Sequence, residues 1–433
     1  MRLFSLLYQG AWMIARPFLS RHRRLAEGWT ERLVPDDWAP RFDGKTVWIQ
    51  AASGGEAFLL AHIVAELQKL WSEAGRGKLR ILATTCTRQG MDVFEKKLAG
   101  PKASGLEILF RYFPLDEPRL MRRAMAQAAP DQVVLLETEL WPGLLMAAWE
   151  RNIPVQVLNG RITPKSMAGY GKFPPAFWKN LSPRKILAIS QADAGRYAEL
   201  FGNDVVGQMP NIKFDLISTG KEEDLRAPAP DGGKVALFAS VRRQEADLVA
   251  EAVRALIDKA PGCRVVLAPR HLHHVGMWRR AISRMGMRIV LRSEIAEPGL
   301  PPQAVLASIK PGSGGPVLIW DRFGDLKKLY SLADCAYVGG SLVPLGGQNF
   351  LEALSEGIEP CIGPYYSNFA WAGGEILEMA RQVSGPLELA SALERILAAP
   401  KPRQDVRKRF EKSVESRRGG TKIAVAAILE LLD

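Results

Sequence analysis

Two parallel α/β domains joined by a linker are what this sequence predicts, and three observations predict it. From residue 45 onward, short apolar runs alternate with helical patterns, the order that builds a parallel sheet with crossover helices. The alternation stops at residues 218–233, a charged stretch ending Ala227-Pro228-Ala229-Pro230-Asp231-Gly232-Gly233, and resumes at residue 234. The 433 residues are enough for two separate cores.

In the first alternation, strands are expected at 46–52, 80–85, 106–110, 133–136, 153–158 and 185–189. Helices are expected at 57–71, 117–127 and 192–201, and the first of them carries Leu59, Leu60, Ile63, Val64, Leu67 and Trp71 at helical spacing. In the second, strands are expected at 234–239, 265–268, 317–320, 335–338 and 360–362, with a Pro/Gly-rich loop at 297–315. The expected boundaries are a helical segment 1–34, a first domain 35–217, the linker 218–233, a second domain 234–403 and a tail 404–433 of two helical pieces broken at Gly419-Gly420. Two such domains on one linker are expected to leave a ligand-binding cleft between them.

With 47% hydrophobic and 24% charged residues, the composition is that of a globular protein, without solenoid repeats. Cys86, Cys263, Cys335 and Cys361 are scattered, mostly in apolar runs, and no Cys-x-x-Cys pair occurs. They read as buried thiols in a reducing compartment, without a zinc site or a disulfide framework. The net charge of +12 calls for an anionic partner: nucleic acid, a membrane surface or a phosphorylated substrate. It concentrates in Arg16, Arg21, Arg23 and Arg24, and in residues 264–292, where Arg270, Arg279, Arg280, Arg284 and Arg288 stand without an acid. Aromatic residues are not interleaved with these charges, and no nucleic-acid-binding signature appears, so nucleic acid is set aside.

Residues 3–19 are apolar but interrupted by Gln9, Arg16 and Pro17, a short run for a spanning helix and without a signal cleavage site. Tyr8, Trp12 and the following arginines suit a helix lying in the interface of an anionic membrane. A helix packed on its own domain is the alternative.

Candidate chemistry falls at strand carboxyl ends, where open α/β sheets bind ligands. Ser53-Gly54-Gly55-Glu56 begins a helix, and Glu56 reads either as a general base or as a capping residue. Glu137 and Glu139 flank a strand end, and period-2 alternation would point both side chains one way. Trp141-Pro142 opens the next helix. Lys213, in Asn211-Ile212-Lys213-Phe214-Asp215, is able to reach a phosphate or to stay solvated. Pro269-Arg270-His271 aims an arginine from the acid-free region. The spacing of His271, His273 and His274 lacks the helical geometry of a zinc site, and no metal is expected. In Phe323-Gly324-Asp325, Asp325 reads as a helix N-cap. Gly339, Gly340 and Ser341, then Gly346 and Gly347, then Asn349, Phe350, Leu351 and Glu352 read as strand, glycine loop and helix start. That order suits a phosphate cradle, with Glu352 placed for a ribose hydroxyl, although glycine pairs also serve ordinary turns.

At these positions the chain resembles the bacterial 3-deoxy-D-manno-octulosonic acid (Kdo) transferases, inverting glycosyltransferases of the GT-B fold. The resemblance runs through Ser53-Gly54-Gly55-Glu56, Glu137-Thr138-Glu139-Leu140-Trp141-Pro142, Asn159-Gly160-Arg161 with Ser166 and Gly169-Tyr170, Asn211 to Asp215, Pro269-Arg270-His271, Val338-Gly339-Gly340-Ser341, and Asn349-Phe350-Leu351-Glu352. It implies two Rossmann-like domains facing across a cleft. It also implies transfer of Kdo from CMP-Kdo to a lipid A precursor (lipid IVA) in lipopolysaccharide inner-core synthesis, at the cytoplasmic face of the bacterial inner membrane. Glu56 is then the catalytic base, supported by Glu137 and Lys213. Pro269, Arg270, Phe323, Gly324, Asp325 and Asn349 to Glu352 hold cytidine monophosphate (CMP), and Gly339, Gly340, Ser341, Gly346 and Gly347 form a donor loop. No cofactor or metal is implied, since CMP-Kdo is a substrate and cationic side chains can neutralise the leaving group. The chain departs from the family pattern at Gly54, at Gln348 and Phe350, and in Ser240-Val241-Arg242-Arg243-Gln244-Glu245. A GT-B transferase using another nucleotide sugar on a lipid, and a non-catalytic lipid- or nucleotide-binding paralogue, stay open on these residues.

Overall fold

The structure, a computed structural model, describes all residues except 1, 22, 101–104, 138, 218–232, 296–298, 310–314 and 433. The linker expected at 218–233, apart from Gly233, therefore lies outside the described residues, as do Thr138 and parts of the loop expected at 297–315. Two compact units are formed, one by residues 1–217 and 417–433, the other by residues 218–416.

The first unit carries a seven-stranded parallel sheet: β1 (Lys45–Gln50), β2 (Leu79–Thr85), β3 (Leu106–Tyr112), β4 (Gln132–Leu136), β5 (Val155–Gly160), β6 (Lys185–Ala188) and β7 (Val206–Gln208). Their spatial order is β3-β2-β1-β4-β5-β6-β7, so the winding reverses between β1 and β4. Both faces are covered: Val47 and Ile49 enter one apolar cluster and Trp48 the other. A strand buried on both faces reads as a continuous apolar run, which is why the sequence exposes it.

The second unit repeats the plan with β8 (Lys234–Val241), β9 (Cys263–Pro269), β10 (Ile289–Leu291), β11 (Val317–Ile319), β12 (Cys335–Val338), β13 (Pro360–Ile362) and β14 (Arg381–Gln382). The order β10-β11-β9-β8-β12-β13-β14 places its reversal between β8 and β12. Strands β7, β10 and β14 escape the sequence reading; each is a two- or three-residue edge strand with no fully buried residue. Cys263, Cys335 and Cys361 are buried free thiols.

The tail divides as its glycine pair suggests. A helix Arg403–Glu415 stays with the second unit, and a helix Gly420–Glu430 adds Ala424, Val425, Ala427 and Ile428 to the first unit's core. Gly419 turns the chain at φ +103, and a side chain at Gly420 would strike the Pro210 carbonyl at 2.4 Å. The Asp215 carboxylate accepts hydrogen bonds from Gly419 N at 2.8 Å and Thr421 N at 2.6 Å, capping the last helix with the residue that closes the first alternation.

The helix Arg2–Leu19 has two apolar sides. Phe4, Tyr8 and Trp12 pack on the first unit's core, with Phe4 4.2 Å from the Phe177 ring centre. Tyr8 donates to Asp116 Oδ2 at 3.0 Å, Gln9 Nε2 to Glu117 at 2.5 Å and Arg122 to Ser5 Oγ at 2.7 Å. Tyr8 and Trp12, expected at a membrane interface, instead pack on the first unit's core, because Asp116 and the Phe4 ring offer Tyr8 partners and Trp12 meets Tyr8 edge-on. The opposite side leaves Leu3, Leu6, Leu7, Met13, Ile14 and Phe18 exposed, each at 60% or more. Among the described residues no helix is long and apolar enough to cross a membrane.

Candidate active site

The reversal points of the two sheets collect most of the expected residues. In the first unit, Ser53 follows β1 in extended backbone and caps the helix Gly54–Glu73, accepting a hydrogen bond from Glu56 N. Glu56 folds back in turn: its carboxylate accepts from Ala52 N at 2.6 Å and from Ser53 Oγ at 3.2 Å. Capping and candidate base are thus the same buried side chain. Burial, then the charge of Glu137, pushes Glu56 up to about 7, against the hydrogen bonds from Ala52 and Ser53 and the charge of Lys213. A carboxyl poised there can hold or release a proton at neutral pH.

Glu137 stands directly after β4 with φ +59, left-handed backbone that a non-glycine residue adopts only when its surroundings hold it there. Period-2 alternation therefore ends at Leu136, and the expectation that Glu137 and Glu139 point the same way does not apply to this backbone. The holding contacts are visible: Arg161 N and the Tyr197 hydroxyl donate to the Glu137 carbonyl at 3.1 and 2.9 Å. The Glu137 carboxylate lies 2.5 Å from Lys213 Nζ, and Asn159 Nδ2 reaches it at 3.5 Å.

Asn159, itself at φ +55, ties this arrangement together. Its Oδ1 accepts from Ile212 N at 2.9 Å, and its Nδ2 donates to Asn211 Oδ1 at 3.2 Å. Asn211 Oδ1 also accepts from Lys213 N at 3.0 Å, so the turn carrying Lys213 is pinned beside Glu137. The bridging role of Asn159 was not assigned from sequence, although asparagine tolerates left-handed backbone at a strand end. Glu139 is pushed up to about 8 by burial and the nearby charge of Glu56. Asp116, buried and pushed up to about 7 by burial, accepts from Gly143 N and Leu144 N, both at 2.8 Å, at the start of the next helix.

In the second unit, Glu245 organises the reversal point. It is fully buried, and one carboxylate oxygen accepts from both Arg242 N (2.8 Å) and Gly340 N (2.7 Å), while the other accepts from the Tyr337 hydroxyl (2.8 Å). Gly339 is required by contact: a Cβ there would lie 2.5 Å from Val241 Cα. The glycine loop satisfies much of itself, Gly347 N donating to Gly340 O and Gln348 N to Gly339 O. Those amides, expected to cradle a phosphate, are taken by the chain. Ser341 is likewise committed, donating to Val338 O at 2.8 Å and accepting from Gly363 N at 2.9 Å.

Beyond the loop the helix is short, Leu351–Ser355. Asn349 Oδ1 accepts from Leu351 N at 3.2 Å, and its Nδ2 donates to Glu352 at 2.8 Å. Phe350 and Leu351 are buried, so only their backbone is available to a ligand. Arg270 is exposed just past β9 and close enough to oppose the desolvation that raises the Glu352 carboxyl. Phe323 is 67% exposed beside Gly324 at φ +95. Asp325 precedes its helix but caps nothing with its side chain, which accepts instead from Trp320 Nε1 at 3.3 Å and faces Arg322 at 3.6 Å. The rings of His271, His273 and His274 lie 4.0 to 6.1 Å apart, and among the described residues no group of three or more His, Cys, Asp or Glu is placed to hold a metal ion. A cavity of about 510 Å³ opens at the amino edge of the second sheet, away from these groups, and its Arg381 and Lys401 are paired with Glu359.

A family model described as 3-deoxy-D-manno-octulosonic-acid transferase (kdotransferase) matches residues 27–216. A Haemophilus influenzae protein named 3-deoxy-D-manno-octulosonic acid transferase is 29% identical over 82% of this chain and 78% of its own. A Bordetella pertussis protein of the same name is 27% identical over 99% of each chain. Among solved structures, a glycosyltransferase from Rickettsia africae aligns with a TM-score of 0.57 at 12% identity, covering 90% of this chain and 100% of its own, a likeness of fold.

Proposed function

The chain belongs to the 3-deoxy-D-manno-octulosonic acid transferase family, with the GT-B fold, and from that premise we propose that it moves Kdo from CMP-Kdo to a lipid A precursor with inversion at the sugar's anomeric carbon. The observation that carries this reading is the buried Glu56 carboxyl, raised to about 7 within reach of the Glu137–Lys213 pair. Glu56 takes the proton of the attacking lipid hydroxyl. The bond from the anomeric carbon to phosphate breaks as the new glycosidic bond forms, and CMP leaves with the electron pair. Arg270 supplies positive charge to the departing anion, and the segments of the second unit carrying Arg270, Phe323 to Asp325 and Asn349 to Glu352 hold the nucleotide.

The N-terminal helix supports a lipid acceptor. Its exposed row of Leu3, Leu6, Leu7, Met13, Ile14 and Phe18 gives an interfacial face, and the family's acceptor lies in the cytoplasmic leaflet of the bacterial inner membrane. Peripheral attachment through this face would bring the enzyme to its substrate.

Incubation with CMP-Kdo and lipid IVA, followed by mass spectrometry of the lipid, tests the reading. The expected product is heavier by one or more Kdo units. An unchanged lipid, alongside consumption of another nucleotide sugar, would overturn it.

A further inference from the structure

We infer that Arg242 recognises the carboxylate of the donor sugar and so sets the preference for an acidic ketose over an aldose. The inference rests on the function proposed above. In CMP-Kdo the anomeric carbon bears both the phosphate ester oxygen and a carboxylate, two anionic groups on one carbon. A nucleotide-linked aldose carries hydrogen where that carboxylate stands. Discrimination needs a cation beyond those that meet the phosphate, and the second unit has one in place.

Arg242 follows β8 at the sheet's reversal point, where ligands of such sheets bind. Its backbone is fixed by Glu245, whose same carboxylate oxygen also holds Gly340 N. That shared oxygen lays the arginine stem against the glycine loop: a Cβ at Gly340 would sit 3.4 Å from Arg242 Cγ and 3.3 Å from Gln348 Nε2. A bulkier residue at 340 would displace both side chains. The Arg242 Nε is buried and has no hydrogen-bond partner among the described residues. Leaving a buried guanidinium nitrogen unpaired is costly, and a carboxylate matches the planar fork of that group with two parallel hydrogen bonds. Glu245 does not serve as that partner, since its carboxylate meets two backbone amides and Tyr337.

The neighbourhood is cationic. Burial first, then the charges of Arg242 and Arg270, keep His271 below its ordinary range. Arg270 N donates to Val241 O at 3.0 Å, which sets Arg242 and Arg270 at neighbouring strand ends, one cation for each of the donor's adjacent anions, and the Gln348 amide adds a donor beside Arg242.

Equilibrium binding of CMP and of CMP-Kdo, each without acceptor lipid, tests the assignment in wild type, Arg242→Met and Arg242→Lys. The backbone amide that meets Glu245 survives both substitutions, so the loop anchor is retained, and thermal melting checks that it is. Arg242→Met is expected to weaken CMP-Kdo by roughly tenfold to a hundredfold, the loss of one charge-assisted pair, while CMP affinity stays within about twofold of wild type. Arg242→Lys, keeping charge without the fork, is expected to fall between. Equal weakening of both ligands, or no change in either, would overturn the inference. Failure of the proposed function reads out separately, as wild type that binds CMP-Kdo but transfers nothing.

Discussion

Lys213 Nζ lies 2.5 Å from the Glu137 carboxylate, and both groups act in opposite senses on Glu56, Glu137 raising its proton affinity and Lys213 lowering it. The pair is therefore a setting for the base as well as a contact.

Two substitutions separate those senses. Lys213→Met removes a charge that stabilises ionised Glu56, so Glu56 rises above about 7 and the acidic limb of the transfer rate moves to higher pH. Glu137→Gln removes a like charge, and the limb moves to lower pH. Lys213→Met is also expected to destabilise the fold by about 2–3 kcal/mol, less than breaking a fully buried pair, because the lysine side chain is 25% exposed. Limbs that move together, or not at all, contradict the coupling.

The N-terminal helix separates attachment from folding. Leu7→Glu with Ile14→Glu replaces two exposed residues, so melting should change by no more than about 0.5 kcal/mol per site while sedimentation with anionic vesicles is lost. Phe4→Ala empties the contact with Phe173 and Phe177 and is expected to cost about 2–3 kcal/mol. Undiminished vesicle binding by the double variant would show that this face does not meet lipid.

Gly339→Ala tests the role given to the glycine loop. The added methyl would meet Val241 Cα at 2.5 Å and Glu245 Oε1 at 2.6 Å, and the first of these is backbone that cannot swing aside. A loss of about 1–3 kcal/mol is expected, with weaker CMP binding read by calorimetry. Wild-type stability with wild-type CMP affinity would mean the turn is looser than its contacts imply.

How much of this was legible beforehand follows from what each residue depends on. Strands such as β1 and β8 announce themselves because both faces are buried, whereas β10 and β14 are brief and partly exposed. Glu56 is legible locally, since Ser53 and Glu56 form their own reciprocal cap. The left-handed turn at Glu137 is not, because it is held by Tyr197, 60 positions away. Glu245 carries no local signal of its role, which comes from Gly340, 95 residues on. Phe350 and Leu351 matched a motif, but apolar side chains after a loop turned into the core. Tyr8 and Trp12 misled for the same reason: an aromatic suits a membrane or a protein core equally until its partner is known.

The most direct test is Glu56→Gln, which keeps the side chain's size and its hydrogen bond from Ala52 while removing the proton acceptor. Transfer of Kdo to lipid IVA should fall by roughly 10²–10⁴-fold, with CMP affinity, measured by calorimetry on the same preparation, unchanged. Near-wild-type turnover in that variant would contradict the assignment of Glu56 as the base.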